Sequence, residues 1–228
     1  MRTTQRTGPF RIGLIVGSTR PGRRGAAVAG WAAQVCSRHP AVRAGSAEIE
    51  VIDLAEQALP LLDEPVPAMF GDYRQPHTRR WSAVVAACDA FVFVTPEYNH
   101  SVPAALKNAV DYLYAEWNDK VAGLLGYGVQ GGVRATDHLR LVLTEVRVAV
   151  VPTQVSVPIF TDFDFSGSDP GDPTAPGVLT PGEEREASLS AMLTEVLTWS
   201  AALPAPWRSA DRGPAGRPAA EGSPELVA

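Results

Sequence analysis

The chain has 228 residues, 45% of them hydrophobic, and a formal net charge of -5. That suits one well-buried domain of ordinary size and excludes the basic, clustered footprint of a nucleic-acid binder. No apolar run approaches the roughly 20 residues of a membrane-spanning helix, so no membrane partner is expected. Met1 to Pro9 is polar and lacks the apolar core of a secretory signal; it is expected to be a flexible N-terminus over 1–9. Cys36 and Cys88 make neither a CxxC nor a metal-ligand spacing, so they read as buried small hydrophobes in a reduced, cytoplasmic setting. His39, His77, His100 and His138 make no HExxH or related pattern, and no metal site is expected.

Along the chain, Phe10 to Val16 is a short apolar run and reads as the first strand. Gly25 to Arg38 carries Ala, Val and Trp31 at helical spacing. Glu48 to Leu54 reads as the second strand and leads into a proline-rich loop, Ala58 to Gln75, longer than most connections and therefore functional or mobile. A helix is expected over Thr78 to Ala87, the third strand over Ala90 to Thr95, and a helix from Pro103 to Tyr114. Pro103 suits a first turn, where its missing N–H costs nothing, and Ser101 is a candidate N-cap. Lys120 to Tyr127 reads as the fourth strand, and Gly128 to Gly132 as a glycine-rich turn before a helix to about Arg147. Val148 to Val157 reads as a last strand interrupted at Pro152. A loop rich in Asp, Pro and Gly follows, and Pro181 to Ala202 reads as the final helix.

Strand and helix alternate at a spacing that demands parallel pairing with crossover helices. The expected fold is α/β: a doubly wound five-stranded parallel sheet of order 2-1-3-4-5, in three α/β/α layers over residues 10–203. Residues 204–228, rich in Pro, Ala and Gly, are expected to form a disordered tail.

Three polar or glycine-rich loops fall at the carboxyl ends of strands, where such sheets bind ligands. The first is Gly17-Ser18-Thr19-Arg20-Pro21-Gly22-Arg23-Arg24-Gly25. The helix after it opens with N–H groups that lack intrahelical partners and with the positive end of the dipole, both suited to a phosphate. Ser18 and Thr19 add hydroxyls, and Arg20, Arg23 and Arg24 add charge in the forked geometry that pairs with phosphate. This first loop carries neither GxxxxGK[ST] nor GxGxxG, so it is neither a Walker loop nor a standard dinucleotide fingerprint. The plainer alternative is an exposed glycine-arginine turn.

The second loop, Pro96-Glu97-Tyr98-Asn99, puts polar groups and an aromatic at the rim. A flavin ring needs backbone donors and acceptors along one edge and a flat apolar contact. Tyr98 either supplies that contact, lines the ribityl chain, or packs against the next helix. His100 reads as a surface or capping residue, and Asn108 as a stabiliser of the loop. The third loop, Gly126 to Gly132, permits close backbone approach to something flat, or is simply a tight turn. One nucleotide-like ligand touching all three loops accounts for them together.

GSTRPGRRG, TPEYNHSVPAALKNAVDYL and GYGVQGGVRATDHLR, each after a strand, resemble the NADPH-dependent FMN reductase family. This is a flavodoxin-like group that includes quinone, azo-dye and chromate reductases, and the resemblance spans Phe10 to Ala202. It implies non-covalent FMN, with NADPH or NADH as donor and a flavin, quinone or similar small molecule as acceptor in ping-pong turnover. By motif position Gly17, Ser18, Arg20, Arg24 and Gly25 would bind the phosphate. Pro96, Glu97, Tyr98 and Asn99 would bind the ribityl chain and ring, and Gly128 and Gly131 the far edge of the ring. No acid-base residue is assigned as catalytic. The resemblance also implies a homodimer or homotetramer. Many members carry serine or threonine and then asparagine where this chain has Gly25 and Ala27, so backbone or arginine contacts must replace those side chains. A flavodoxin-type electron carrier and a non-catalytic flavin-binding protein are the alternatives.

Overall fold

β1 (Phe10–Val16) lies inside a parallel sheet, with β2 (Ala47–Asp53) on one side and β3 (Ala90–Pro96), β4 (Val121–Gly128) and β5 (Ala149–Pro158) following on the other. The order 2-1-3-4-5 is the flavodoxin-like one, and its direction of winding reverses between β1 and β3. The computed structural model describes residues 8–203 apart from 170, 171 and 173. The expected tail and nearly all of the expected flexible N-terminus lie outside the described residues.

The strands alternate their side chains between two cores, as a period of two requires. Leu14, Val16, Val92 and Val94 face α1 (Gly25–Ser37) and α8 (Glu183–Ala202). Ile15, Phe91 and Phe93 face α4 (Pro76–Ala87), α5 (Ala104–Asp111) and α6 (Val133–Glu145). Every residue of β3 and β4 is buried, which explains why these strands read as continuous apolar runs. The second core contains an aromatic cluster of Trp81, Trp117, Phe91 and Phe93. Both indole N–H groups find backbone carbonyls there, Trp81 on Ala109 (2.8 Å) and Trp117 on Val110 (3.1 Å).

Short elements complete the chain: α2 (Pro40–Arg43), α3 (Leu54–Gln57), a 3-10 turn at Ala68–Phe70, α7 (Ile159–Asp162), and an antiparallel hairpin of β6 (Phe163–Asp164) and β7 (Val178–Leu179). The hairpin was not predicted, because two-residue strands carry no readable period.

Pro152 does not interrupt β5. Pairing with β4 continues across a bulge, shifting between Ala122–Val150 and Leu124–Gln154. Two side chains from opposite layers satisfy the displaced backbone. Arg140 of α6 donates to the carbonyls of Val150 and Val151 (3.1 and 3.0 Å), while Glu195 of α8 accepts from the Thr153 N–H (3.1 Å) and hydroxyl (2.6 Å).

Candidate functional site

The first loop leaves β1 at Gly17, whose N–H donates to the Val94 carbonyl at 2.8 Å. Its three arginines have different fates. Arg23 pairs with Asp53, the N-cap of α3. Arg24 donates to the carbonyls of Pro176 (2.8 Å) and Ala175 (2.7 Å), and its guanidinium lies over the rings of Phe163 and Phe165. It therefore ties the β6–β7 hairpin to the loop. Arg20 is exposed; its carbonyl accepts from the Arg23 N–H (3.1 Å), but its guanidinium makes no hydrogen bond or ion pair among the described residues. Of the three, its guanidinium is the one uncommitted.

The second loop is a two-residue reverse turn. Tyr98 and Ser101 exchange backbone hydrogen bonds at 2.9 and 3.0 Å, and the residues between them, Asn99 (φ 50°) and His100 (φ 67°), are both left-handed. Positive φ at both central positions is the type I′ pattern, which asparagine tolerates and histidine adopts at a cost. The turn leaves Tyr98 38% exposed, with its phenol oxygen 3.0 Å from the Ser18 hydroxyl, so the first and second loops are joined. Ser101 is not the N-cap expected of it: α5 is capped at Pro103 without a side-chain hydrogen bond, and Ser101 instead pairs with Nδ1 of His138 (3.2 Å).

Glu97 joins the second loop to the third. The N-cap of α6 is Gly132, which has no side chain to offer. The Glu97 carboxylate supplies the missing acceptor, taking the Arg134 N–H at 3.0 Å and the Arg134 guanidinium at 3.2 Å. The Glu97 N–H donates to the Tyr127 carbonyl at 3.2 Å. Gly132 itself has φ 73°, and a Cβ there would stand 2.6 Å from the Tyr127 nitrogen, so only glycine fits this turn.

Arg20, Arg24, Pro96, Glu97, Tyr98 and Gly128 line one cleft at the β1/β3 end of the sheet. Ser18 is buried and linked to that cleft through Tyr98. Gly17, Gly25, Asn99 and Gly131 are not among its walls; they shape the backbone that makes it. The cleft also takes Arg23, which the sequence reading counts as charge for a phosphate, and Val129, Ile159 and Tyr127, to which it gives no individual role. Tyr127 is 4% exposed, and a Cβ on Gly25 would stand 2.8 Å from its phenol oxygen. Burial, with Tyr98 nearby, pushes its phenol well above the usual range. An aromatic between two glycines at a strand's carboxyl end was the one signal that could have marked it. The Arg20 guanidinium, the phenols of Tyr98 and Tyr127, and the apolar side chains of Val129 and Ile159, gathered in one cleft, fit a phosphate-bearing planar ring.

The 58–75 loop is ordered and held against α4 and α5. Asn108 donates to the Pro60 carbonyl (2.7 Å) and accepts from the Leu62 N–H (2.9 Å), so it steadies this loop and not the second loop, where the sequence reading places its role. Tyr112 donates to Asp63 (3.0 Å), which also pairs with His77 (2.8 Å). The His77 hydrogen bond holds the Asp63 carboxyl below its ordinary value, and burial together with Asp63 pushes the Tyr112 phenol up to about 12.

The winding order and the loop-built cleft at its reversal place this molecule among the flavodoxin-like nucleotide-binding proteins. A family profile described as NADPH-dependent FMN reductase matches residues 10–162. The chain belongs to the NADPH-dependent FMN reductase family. It is 41% identical over 167 residues to an NAD(P)H-dependent FMN reductase of Nectria sp, covering 71% of this chain and 82% of that one. It is 38% identical to an NAD(P)H-dependent FMN reductase of Saccharomyces cerevisiae, over 67% and 83% of the two chains. Among solved structures, the flavoenzyme NAD(P)H:(acceptor) oxidoreductase FerB of Paracoccus denitrificans shares the fold. It has a TM-score of 0.61 and 19% identity, covering 85% of this chain and 98% of that one. The protein is thus an NAD(P)H-dependent flavin enzyme with FMN as cofactor. The β6–β7 hairpin and α8 lie beyond the matched residues. No helix among the described residues is long and apolar enough to cross a membrane.

Proposed function

We propose that this chain oxidises NADPH or NADH and reduces a small acceptor (a free flavin, a quinone or an azo compound), the two substrates taking turns at one cleft in ping-pong fashion. The observation that carries this is the convergence of the loops after β1, β3 and β4 on a single cleft. Bound FMN would supply the hydride and electron chemistry. The protein supplies position and charge. Arg20, the only loop-one arginine not already paired, and the N–H groups at the start of α1 would hold the phosphate. The turn over Pro96 to Asn99 would hold the ribityl chain and ring, with Glu97 contributing backbone while its carboxylate stays on α6. Gly128 and Gly131 would allow close approach at the far edge of the ring.

A homodimer or homotetramer fits the exposed apolar side chains of Leu61, Leu62, Met69 and Phe70 on a loop that is already pinned from beneath. A cytoplasmic setting fits two buried, unpaired cysteines. The test of the function is the visible spectrum of the purified protein with FMN, before and after NADPH under anaerobic conditions. Bleaching of the visible flavin band is expected. Bound flavin that NADPH leaves unbleached would mark a carrier needing a separate reductase, and no bound flavin would overturn the reading.

A further inference from the structure

Gly25 opens α1 beside the cleft. The position is not empty space. Its Cα faces the phenol oxygen of Tyr127, which would lie 2.8 Å from any Cβ added there, with Val16 Cγ1 at 3.3 Å. Tyr127 reaches this point from the end of β4 and lines the cleft. Ser18, 1% exposed, has its hydroxyl 3.0 Å from Tyr98 and also faces the Tyr127 phenol. Three hydroxyls from three separate loops thus meet beside the first turn of α1.

We infer that the Tyr127 phenol, in the room that Gly25 leaves at the start of α1, donates its O–H to the phosphate of the bound cofactor. The inference rests on the FMN-binding reading above and adds a residue to it. Donor bookkeeping supports it: even with Ser18 joined to both phenols, three hydroxyl protons serve two internal contacts, and one O–H remains for a ligand oxygen. Burial keeps the phenol protonated, hence a donor rather than a second anion, and Arg20 and Arg23 stand close enough to balance an incoming charge. Glycine at 25 is then a steric requirement of Tyr127, since a serine there would collide with the phenol oxygen.

The test is titration of the apoprotein with FMN and, separately, with riboflavin, followed by flavin fluorescence. Melting temperatures of the apoproteins serve as the folding control. Tyr127→Phe keeps the ring and its packing and should weaken FMN by about tenfold to a hundredfold, the worth of one hydrogen bond to a charged group. Riboflavin, which lacks the phosphate, should bind as before. Gly25→Ser alone should weaken FMN by collision, and Gly25→Ser added to Tyr127→Phe should recover affinity, because the serine then has both room and a hydroxyl. Equal FMN affinity in wild type and Tyr127→Phe, equal loss for FMN and riboflavin, or no recovery in the double variant would overturn the assignment alone. Failure of the wild type to bind FMN would overturn the proposed function and this assignment with it.

Discussion

The two ends of the sheet hold similar side chains in opposite states. At the amino ends of the strands, Lys120 is 1% exposed; its ammonium donates to the Val85 carbonyl at 2.8 Å and lies 5.3 Å from the centre of the Phe91 ring. Asp89, 3% exposed, accepts from the Arg11 N–H at 2.8 Å and returns its own N–H to the Arg11 carbonyl at 2.7 Å. At the carboxyl ends the Arg20 guanidinium stands in solvent without a partner among the described residues, and Tyr98 is over a third exposed. A buried charge must be satisfied by the protein itself. A charge left uncommitted at a rim built of turns is available to a ligand. Chemical type does not separate the two ends; commitment does.

That contrast can be broken from either side. The largest expected effect is at the amino end: Trp117→Ala removes the fully buried ring packed on Phe91, Phe93 and Trp81. It should cost about 4 kcal/mol in urea unfolding, and a loss below 1 kcal/mol would show that this end is not the rigid one. Next is Arg20→Met at the carboxyl end. FMN affinity in an apoprotein titration should fall about tenfold to a hundredfold, with the unfolding midpoint unmoved. A stability loss in its place would mean that Arg20 is structural.

Glu97→Ala sits between the two states, since Glu97 lines the cleft yet caps α6. It should lower stability by about 1 kcal/mol and raise amide exchange at the start of α6, with a smaller change in FMN affinity. An unchanged exchange pattern would remove Glu97 from the capping role.

The smallest effect concerns the 58–75 loop. The Asp63 carboxyl is held below its ordinary 3.8 by His77. Its contribution is therefore present above that ordinary value and is lost as pH falls through the lowered one. Limited proteolysis at the loop should accelerate only in that acid range. Asp63→Asn should abolish the pH dependence, and an identical acid profile in the variant would exclude this pair as the clasp.

Much of the fold was legible because its signals are local. Apolar runs between glycine and proline punctuation place β1, β3 and β4, and their buried middles follow from parallel pairing. The doubly wound order and the three loops that meet at the cleft follow from alternation and from the family motifs. Other expectations failed where distant residues overrode local ones. Ser101 looked like a cap by position, but Gly132, a helix start with no cap of its own, draws Glu97 across from another loop. Pro152 looked like a break, but Arg140 and Glu195 satisfy the displaced backbone and β5 continues.

The amino-acid sequence by itself determined which segments are strands and helices, the layer architecture, the family, and which loops follow the carboxyl ends of the strands. Those are properties of periodicity and short motifs, written within a few neighbouring residues. Only the tertiary structure decided which arginine is free, which carboxylate is a cap, and why position 25 is glycine. Each of those outcomes depends on a partner brought from another loop: Asp53 for Arg23, the β6–β7 hairpin for Arg24, α6 for Glu97, and Tyr127 for Gly25. Hydrogen bonds and steric contacts act over a few ångströms in space, and no spacing along the chain reports them.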